Sequence, residues 1–151
     1  MKACKTLMIM ALFTFCIANH EAKAQSMVTE IQWTIQSDTY TGLLVLYPNN
    51  QGSFIVKFNI GFTTVSVIQD AVLNNQYDFL GNCTSYINCY NPRSMTFGYS
   101  SETYAPDNFV IYPNGNMFTQ DAAGAWSTSI RAIVIPPYAW NNKFIEYNYR
   151  P

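Results

Sequence analysis

The sequence predicts an all-β fold, a small antiparallel β-sandwich or β-barrel of about eight short strands with a short C-terminal helix. Three observations lead to this prediction. Apolar and polar residues alternate without a break over residues 30–36, a period of two that is typical of a strand with one solvated face. Turn-forming Pro, Gly and Asn residues recur at close spacing. Aromatic residues are abundant and only 11% of residues are charged, which favours strands over disorder.

The first 24 residues have the features of a cleavable signal peptide. Lys2 and Lys5 precede an apolar run over residues 7–18, which is too short for a stable transmembrane anchor. The segment ends at Ala22-Lys23-Ala24, a small-x-small pattern that signal peptidases accept. We therefore expect residues 1–24 to be removed and a single β-rich domain over residues 25–151 to be secreted or periplasmic. An uncleaved anchor or a buried helix is the alternative.

The charge of the mature chain argues against two classes of partner. Without the leader, five basic and eight acidic side chains give a formal net charge of −3. The basic residues are scattered, so no cluster is available to neutralise the phosphates of nucleic acid or anionic lipid. No apolar run after residue 24 is long enough to cross a bilayer as a helix. We therefore expect no nucleic-acid partner and no transmembrane segment after signal removal.

The mature chain keeps one pair of cysteines, Cys83 and Cys89. In an oxidising compartment such a pair predicts a disulfide. Six residues of straight strand span about 20 Å, whereas bridged Cα atoms lie within about 7 Å. The bond therefore requires residues 84–88 to fold back as a tight loop. The alternative is two reduced thiols embedded in a strand.

Four strands are predicted in the first half of the domain, each bounded by turn residues. Pro48 and Gly52 mark the turn after the second strand, and Gly61 breaks the third. Within the third strand, the apolar residues fall on one face, and these are Phe54, Val56, Phe58 and Ile60. Residues 70–73 either extend the fourth strand or form a short turn of helix, and Asn74-Asn75-Gln76 is expected to end either one. The four strands cover residues 30–36, 42–47, 54–60 and 63–69.

The middle of the chain contains the clearest hairpin. Residues 108–112 and 116–120 flank Pro113-Asn114-Gly115, and Asn-Gly suits the positive φ angles of a tight turn. Before it the pattern is weaker. Residues 84–90 are predicted as a hairpin or loop, 95–99 as a short strand, and 100–107 as an irregular loop.

A longer strand and a helix are predicted at the C-terminal end. The strand covers residues 126–135, where alternate residues are apolar and Pro136 ends the pattern. Beyond it, Trp140, Phe144 and Tyr147 recur at helical spacing. A short C-terminal helix packed on the sheet is therefore expected.

The composition excludes the commonest catalytic mechanisms. The only histidine, His20, belongs to the predicted leader, so the mature chain cannot use Ser-His-Asp or Cys-His chemistry and lacks the commonest zinc ligand. No Gly-x-Gly-x-x-Gly or Walker motif is present, and we expect no cofactor. The sequence thus favours a protein without enzymatic activity. For a carboxylate mechanism, Asp70 and Asp121 are the pair we nominate, although both sit where Asp is an ordinary turn residue.

Calcium binding is a further alternative. Oxygen ligands for this ion are available from side chains around the predicted hairpin. Their spacing does not match an EF-hand loop, and a structural role in turns explains them more simply. The residues concerned are Asp107, Asn114, Asn116 and Asp121.

Aromatic side chains give the remaining functional indication, because Tyr and Trp beside Asn are typical of sugar-binding sites and protein interfaces. Trp33 and Trp126 fall on faces patterned with Ile and are predicted core residues. The candidate ligand contacts are Tyr86, Tyr104, Tyr138 and Trp140.

Three classes of function remain open. The first is a non-catalytic, exported binding module for a glycan, a small apolar ligand or a protein. The second is a structural or self-associating surface protein, which sparse charge favours. The third is a small carboxylate-dependent hydrolase, for which the sequence contains no motif.

Overall fold

The computed structural model describes residues 25, 27–35, 37–120, 126–127 and 130–151. The predicted leader lies outside these residues, and its cleavage stays a prediction. Within them, nine antiparallel strands form one sheet, followed by a 3-10 turn and an α-helix. The predicted all-β class with a short C-terminal helix is therefore confirmed. No helix in this part of the chain is long and apolar enough to cross a membrane.

The elements follow one another along the chain without a crossover until the last strand. They are β1 (Met27–Ile35), β2 (Asp38–Leu46), β3 (Gln51–Ile60), β4 (Thr63–Tyr77), β5 (Cys83–Ser94), β6 (Asn108–Ile111), β7 (Met117–Gln120), β8 (Trp126–Ser127), β9 (Ile130–Val134), the 3-10 turn (Pro137–Ala139) and α1 (Trp140–Glu146).

The sheet is an up-and-down meander that curls into a nearly closed barrel. Each strand from β1 to β8 is hydrogen-bonded to its neighbours in chain order, and β9 returns to pair with β1. This last ladder runs from Trp33 opposite Ile130 to Thr29 opposite Val134. The stretch predicted as one strand over 126–135 therefore has two partners, because its start pairs with β7 and its end pairs with β1.

Inward-facing side chains fill the barrel. Trp33 stacks on Phe54 with ring centroids 5.8 Å apart, and Phe109 meets both rings edge-on, at 5.3 Å from Trp33 and 5.2 Å from Phe54. Trp33 is buried, as its pattern predicted. This interior core comprises Ile31, Trp33, Leu44, Leu46, Phe54, Val56, Ala71, Ile87, Cys89 and Phe109.

The C-terminal segment covers the outer face of β1 to β3. Phe144 of α1 packs there, and so do Tyr147 and Tyr149, which follow the helix. Lys143 Nζ lies 2.6 Å from Glu30 Oε2, and the Tyr147 hydroxyl donates to the same oxygen at 3.2 Å. The middle of β2 is apolar at every position because its alternate side chains enter the barrel or lie under α1. The covered strand residues are Val28, Leu43, Val45 and Ile55.

The region of the two cysteines differs from the sequence prediction. The hairpin or loop predicted for residues 84–90 is wrong, because β5 is continuous across them. Both thiols are free, with Cys89 buried in the interior core and Cys83 at the start of the strand. Six residues of strand hold the two cysteines too far apart for a bond. The expected disulfide is therefore not formed in this fold, which has the alternative arrangement of strand-embedded thiols.

The structure also tests the predictions for two neighbouring segments. Residues 70–73 extend the fourth strand, as one of the two predicted alternatives had it, but the predicted end at residues 74–76 is wrong, because these residues pair with β5 and the strand continues to Tyr77. Residues 95–99, predicted as a short strand, instead begin the loop between β5 and β6. There the backbone N–H of Met95 donates to Ser66 O, and the backbone N–H of Ser66 donates to Thr96 Oγ1, both at 2.8 Å. These contacts tie the loop to β4.

Candidate functional site

A cleft of about 440 Å³ opens in the barrel wall between the β6–β7 hairpin and β9. Within the described residues no backbone ladder joins β7 to β9, because β9 pairs with β1 instead. The wall is therefore open along this seam. The hairpin contributes Ile111, Gly115, Asn116, Met117 and Phe118 to the lining, and β9 contributes Ile130 and Ala132.

The cleft adjoins the interior of the barrel. Ile111, Met117 and Ile130 line the cleft and also pack, partly buried, against the interior core. Ile130 is the residue opposite Trp33 in the β1–β9 ladder. A molecule in the cleft would therefore contact side chains that are continuous with the core.

Two buried polar atoms of β1, the strand that pairs with β9, have no hydrogen-bond partner. Within the described part of the chain, these orphan atoms are Trp33 Nε1 and Thr29 Oγ1. Their residues lie four apart on β1, so both side chains point to the face that carries Ile31 into the barrel. Across the ladder they lie opposite Ile130 and Val134 of β9. Unpaired buried polar atoms are uncommon in proteins. Both of these lie on β1, which is the neighbour of β9, and β9 forms one wall of the cleft.

Substitution of Thr29 tests the unpaired state of its hydroxyl. We expect Thr29→Val to raise the free energy of unfolding by about 1 kcal/mol, because a methyl group replaces a hydroxyl that is desolvated without compensation. The matched control is Thr119→Val. Thr119 is also buried, but its Oγ1 donates to Asn108 O at 2.8 Å, so this change should lower stability by about 1 kcal/mol. Urea denaturation of both variants gives the comparison, and equal effects would contradict it.

A buried polar cluster lies at the opposite end of the barrel, where the loop between β5 and β6 ends at Asp107. The backbone N–H of Asp107 donates to Gln69 Oε1 at 2.9 Å, and Gln69 Nε2 donates to Asp107 Oδ2 at 2.6 Å. The Tyr104 hydroxyl donates to the same carboxylate oxygen at 2.8 Å. Gln69 is fully buried and projects from β4 where the register of the β4–β5 ladder shifts. The amide of Gln69 thus fixes the end of the loop.

The carboxyl group of this cluster titrates near neutral pH. Burial raises the pKa of Asp107 to about 6, against the hydrogen bonds from Gln69 and Tyr104, which lower it. Burial and the neighbouring carboxylate raise the pKa of the Tyr104 hydroxyl, which therefore remains a donor. Among the described side chains, no Lys or Arg forms an ion pair with Asp107. Its charge is thus compensated by hydrogen bonds alone.

Aromatic rings close this end of the barrel. Phe58 stacks on Tyr104 at 5.7 Å between ring centroids, and it meets Tyr99 at 5.9 Å and Tyr40 at 5.6 Å. Tyr40 in turn stacks on Trp33 at 5.6 Å. Because the rings contact one another directly, this aromatic plug is packed protein rather than a pocket.

The four aromatic residues predicted as ligand contacts lie in three parts of the molecule. Tyr104 belongs to the aromatic plug. Tyr86 is a partly buried residue of β5, whereas Tyr138 of the 3-10 turn is 89% exposed. Trp140, the first residue of α1, packs partly buried against the outer apolar cluster and donates its Nε1 proton to Ile135 O at 2.7 Å. The structure does not gather them into one site, and their role as ligand contacts stays a prediction.

The acidic residues nominated from the sequence have structural partners where they are described. Asp70 forms two hydrogen bonds with the guanidinium of Arg93, at 2.8 and 3.1 Å. The hydrogen bond from Arg93 lowers the pKa of Asp70, which suits an ion pair better than a general acid. Asp121 lies outside the described residues. The carboxylate pair therefore has no geometric support here.

The calcium hypothesis also lacks a site in the described residues. Asp107 is engaged by Gln69 and Tyr104, and Asn114 Oδ1 accepts a hydrogen bond from the backbone N–H of Asn116 at 3.0 Å within the hairpin turn. The described part of the chain contains no group of three or more His, Cys, Asp or Glu residues placed to hold a metal ion.

Gln69 and the two orphan atoms were not predicted from the sequence. Gln69 could have been recognised, because it is a polar residue at an inward position of an alternating strand, between Val67 and Ala71. The unpaired state of Thr29 and Trp33 leaves no trace in the sequence, since it depends on which strand lies beside β1.

Comparisons with known protein families, with curated proteins and with solved structures find no match to this chain. The function of the protein is therefore inferred from the geometry of the cleft and its surroundings.

Proposed function

We propose that this protein is a non-catalytic binding module that holds a small apolar ligand in the cleft between the β6–β7 hairpin and β9. The observation that supports this proposal is the cleft itself. Its volume of about 440 Å³ falls within the range of roughly 300–1,000 Å³ that is typical of small-molecule sites. Five of its seven lining residues carry apolar side chains, and such sites are typically lined in this way.

The open seam suits reversible binding. Because no ladder joins β7 to β9 in the part of the chain that the structure describes, a ligand can enter between these two strands without breaking one. Apolar surface covered on binding contributes roughly 25 cal/mol per Å² removed from water. Partly buried side chains such as Ile111 and Ile130 provide such surface while the core keeps them in place.

Filling the cleft tests the proposal. We expect the neutral fluorescent probe N-phenyl-1-naphthylamine to bind the wild-type protein, and Ala132→Phe to weaken that binding at least about tenfold, or 1.4 kcal/mol, by occupying the cleft. The matched control is Ile133→Phe on the opposite face of β9, which should leave the affinity within about twofold. Fluorescence titration measures all three affinities. Equal binding by wild type and Ala132→Phe, or equal weakening by the control, would contradict the proposal.

Self-association is the second candidate, and exposed aromatic side chains favour it. Phe62 and Phe97 are fully exposed at the end of the barrel that carries the aromatic plug, and Phe79 is 96% exposed at the other end. Patches at opposite ends suit a head-to-tail contact, which builds chains of molecules. Sedimentation velocity of the wild type and of Phe62→Ser at millimolar concentration distinguishes the cases. A strict monomer in both would exclude self-association.

A further inference from the structure

We infer that the outer backbone edge of β9 binds an extended peptide of a partner protein, which adds to the sheet as a further strand and alternates apolar with acidic residues. This inference goes beyond the proposed function. It concerns the backbone edge of β9 and does not depend on a small ligand in the cleft.

The backbone of β9 has one bonded edge and one free edge. The N–H of Ile135 donates to Val28 O at 2.8 Å, which continues the β1–β9 register by one residue and makes these two a hydrogen-bonded pair. Such pairs alternate along an antiparallel ladder, so Ala132 and Val134 occupy non-hydrogen-bonded positions. Their N–H and C=O groups therefore point away from β1, and no other strand of the described residues pairs with them. Groups of this kind are a template for pairing with another chain.

The inward face of β9 is uncovered along the same edge. Residues opposite each other in a ladder share a face of the sheet. Val134 is 67% exposed, although Thr29, which lies opposite it on β1, is buried. Ala132 is likewise exposed opposite the fully buried Ile31. Because β9 has a neighbouring strand on one side only within the described residues, an added strand with apolar inward side chains would cover Ala132 and Val134.

Arg131 indicates the charge of the partner. It alternates with the inward-facing residues of β9, so its side chain is on the outer face, where it is exposed. Its neighbour across the ladder is Gln32, and beyond Gln32 lies Thr41, neither of which is charged. None of the ion pairs among the described residues involves Arg131. An acidic residue at the facing position of an added strand would pair with this cation, and such cross-strand pairs are favourable.

The test uses fluorescein-labelled five-residue peptides, which match the five residues of β9. We expect the peptide Val-Glu-Val-Glu-Val to bind the protein saturably at low ionic strength, and Val-Lys-Val-Lys-Val to bind at least threefold more weakly. Arg131→Glu should reverse this preference. Fluorescence anisotropy measures each affinity.

A proline at position 132 tests the backbone contact. Ala132→Pro removes an N–H that faces the peptide and leaves the bonds between β1 and β9 intact, which is where a strand tolerates proline. It should weaken binding of the glutamate peptide at least tenfold. The matched control is Ala132→Ser, which keeps the N–H and nearly the same size and should bind within about twofold of wild type.

The outcomes separate this inference from the proposed function, which is tested with the small fluorescent probe. No saturable peptide binding, or equal binding by wild type and Ala132→Pro, overturns the inference even where the probe binds. Equal affinity for the two peptides overturns the acidic partner. A concentration-dependent dimer that Ala132→Pro abolishes, without peptide binding, would identify a second copy as the occupant and overturn the peptide.

Amide hydrogen exchange of the wild type keeps the inference testable if Ala132→Pro does not fold. The glutamate peptide should slow exchange of the Ala132 and Val134 amides, whose N–H groups face the free edge. The amides of Arg131 and Ile133 face β1 and should be protected with and without the peptide. Unchanged exchange at Ala132 and Val134 under saturating peptide would overturn the inference.

Discussion

Replacement of Phe54 by alanine is expected to lower the free energy of unfolding by about 3 to 5 kcal/mol. Phe54 is fully buried, and its ring contacts both Trp33 and Phe109 in the centre of the barrel. The substitution removes these aromatic contacts and leaves a cavity that the surrounding strands cannot close, because their backbones are fixed by ladders on both sides. Urea denaturation followed by circular dichroism measures the loss.

Gly42 provides the control for this packing. A Cβ atom at Gly42 would overlap the far edge of the Phe54 ring. Gly42→Ala should therefore cost about 1 to 3 kcal/mol in the wild type, through overpacking, and much less in the Phe54→Ala protein, where the ring is gone. A double-mutant cycle reports this coupling. An equal cost of Gly42→Ala in both backgrounds would show that the ring does not lie over Gly42.

The stability of the protein is expected to fall as the pH rises from about 4 to above 6, through Asp107. Its pKa is about 6 in the fold against an ordinary value of 3.8, so the folded state binds this proton more tightly than the unfolded chain. The stabilisation is fully present below the unfolded pKa and is lost as the pH rises through the folded pKa. It amounts to about 3 kcal/mol, since each unit of pKa difference corresponds to about 1.4 kcal/mol.

Asp107→Asn should abolish this component of the pH dependence, because the amide stays neutral while it can still accept hydrogen bonds from Gln69 and Tyr104. Denaturation of wild type and variant at pH 4, 5, 6, 7 and 8 gives the difference between their free energies of unfolding at each pH. The contributions of the other titrating groups cancel in this difference. Glu102→Gln, an exposed carboxylate in the same loop, is the control and should follow the wild type. A variant Asp107→Asn with the wild-type pH profile would rule out the assigned titration.

The turns of this barrel could be predicted from the sequence because their chemistry is local. Pro48-Asn49-Asn50 and Pro113-Asn114-Gly115 were both assigned as turns, and both contain a residue with positive φ, at 61° for Asn50 and 84° for Gly115. In each, the middle Asn accepts a hydrogen bond from a backbone N–H two residues later. These interactions depend on neighbours in the sequence alone.

The error in β5 shows where local signals mislead. Asn91-Pro92 has the composition of a turn, yet it lies within a strand. Asn91 has a φ of 52°, and it sits where the β4–β5 register shifts, so its left-handed backbone serves a bulge. The ladders to β4 and β6 keep the chain extended, and no local pattern encodes those partners.

The candidate site depends on contacts between the two ends of the domain, and for that reason the sequence did not predict it. The apolar residues of β6, β7 and β9 were recognised as strand positions. The pairing of β9 with β1, rather than with β7, results from closure of the barrel. This pairing leaves the cleft between β7 and β9 and places Trp33 opposite Ile130, which lines the cleft.

The most direct test of ligand binding in the cleft is a methyl NMR titration of the wild-type protein with 2-octanone. Ile111, Ile130 and Met117 report on the cleft, whereas Ile60 and Ile145 are exposed elsewhere, at 52% and 79%. Binding in the cleft predicts saturable shifts of the first three methyl signals and unchanged signals for the other two. Shifts at Ile60 or Ile145 without shifts in the cleft, or no saturable shift at all, would contradict it.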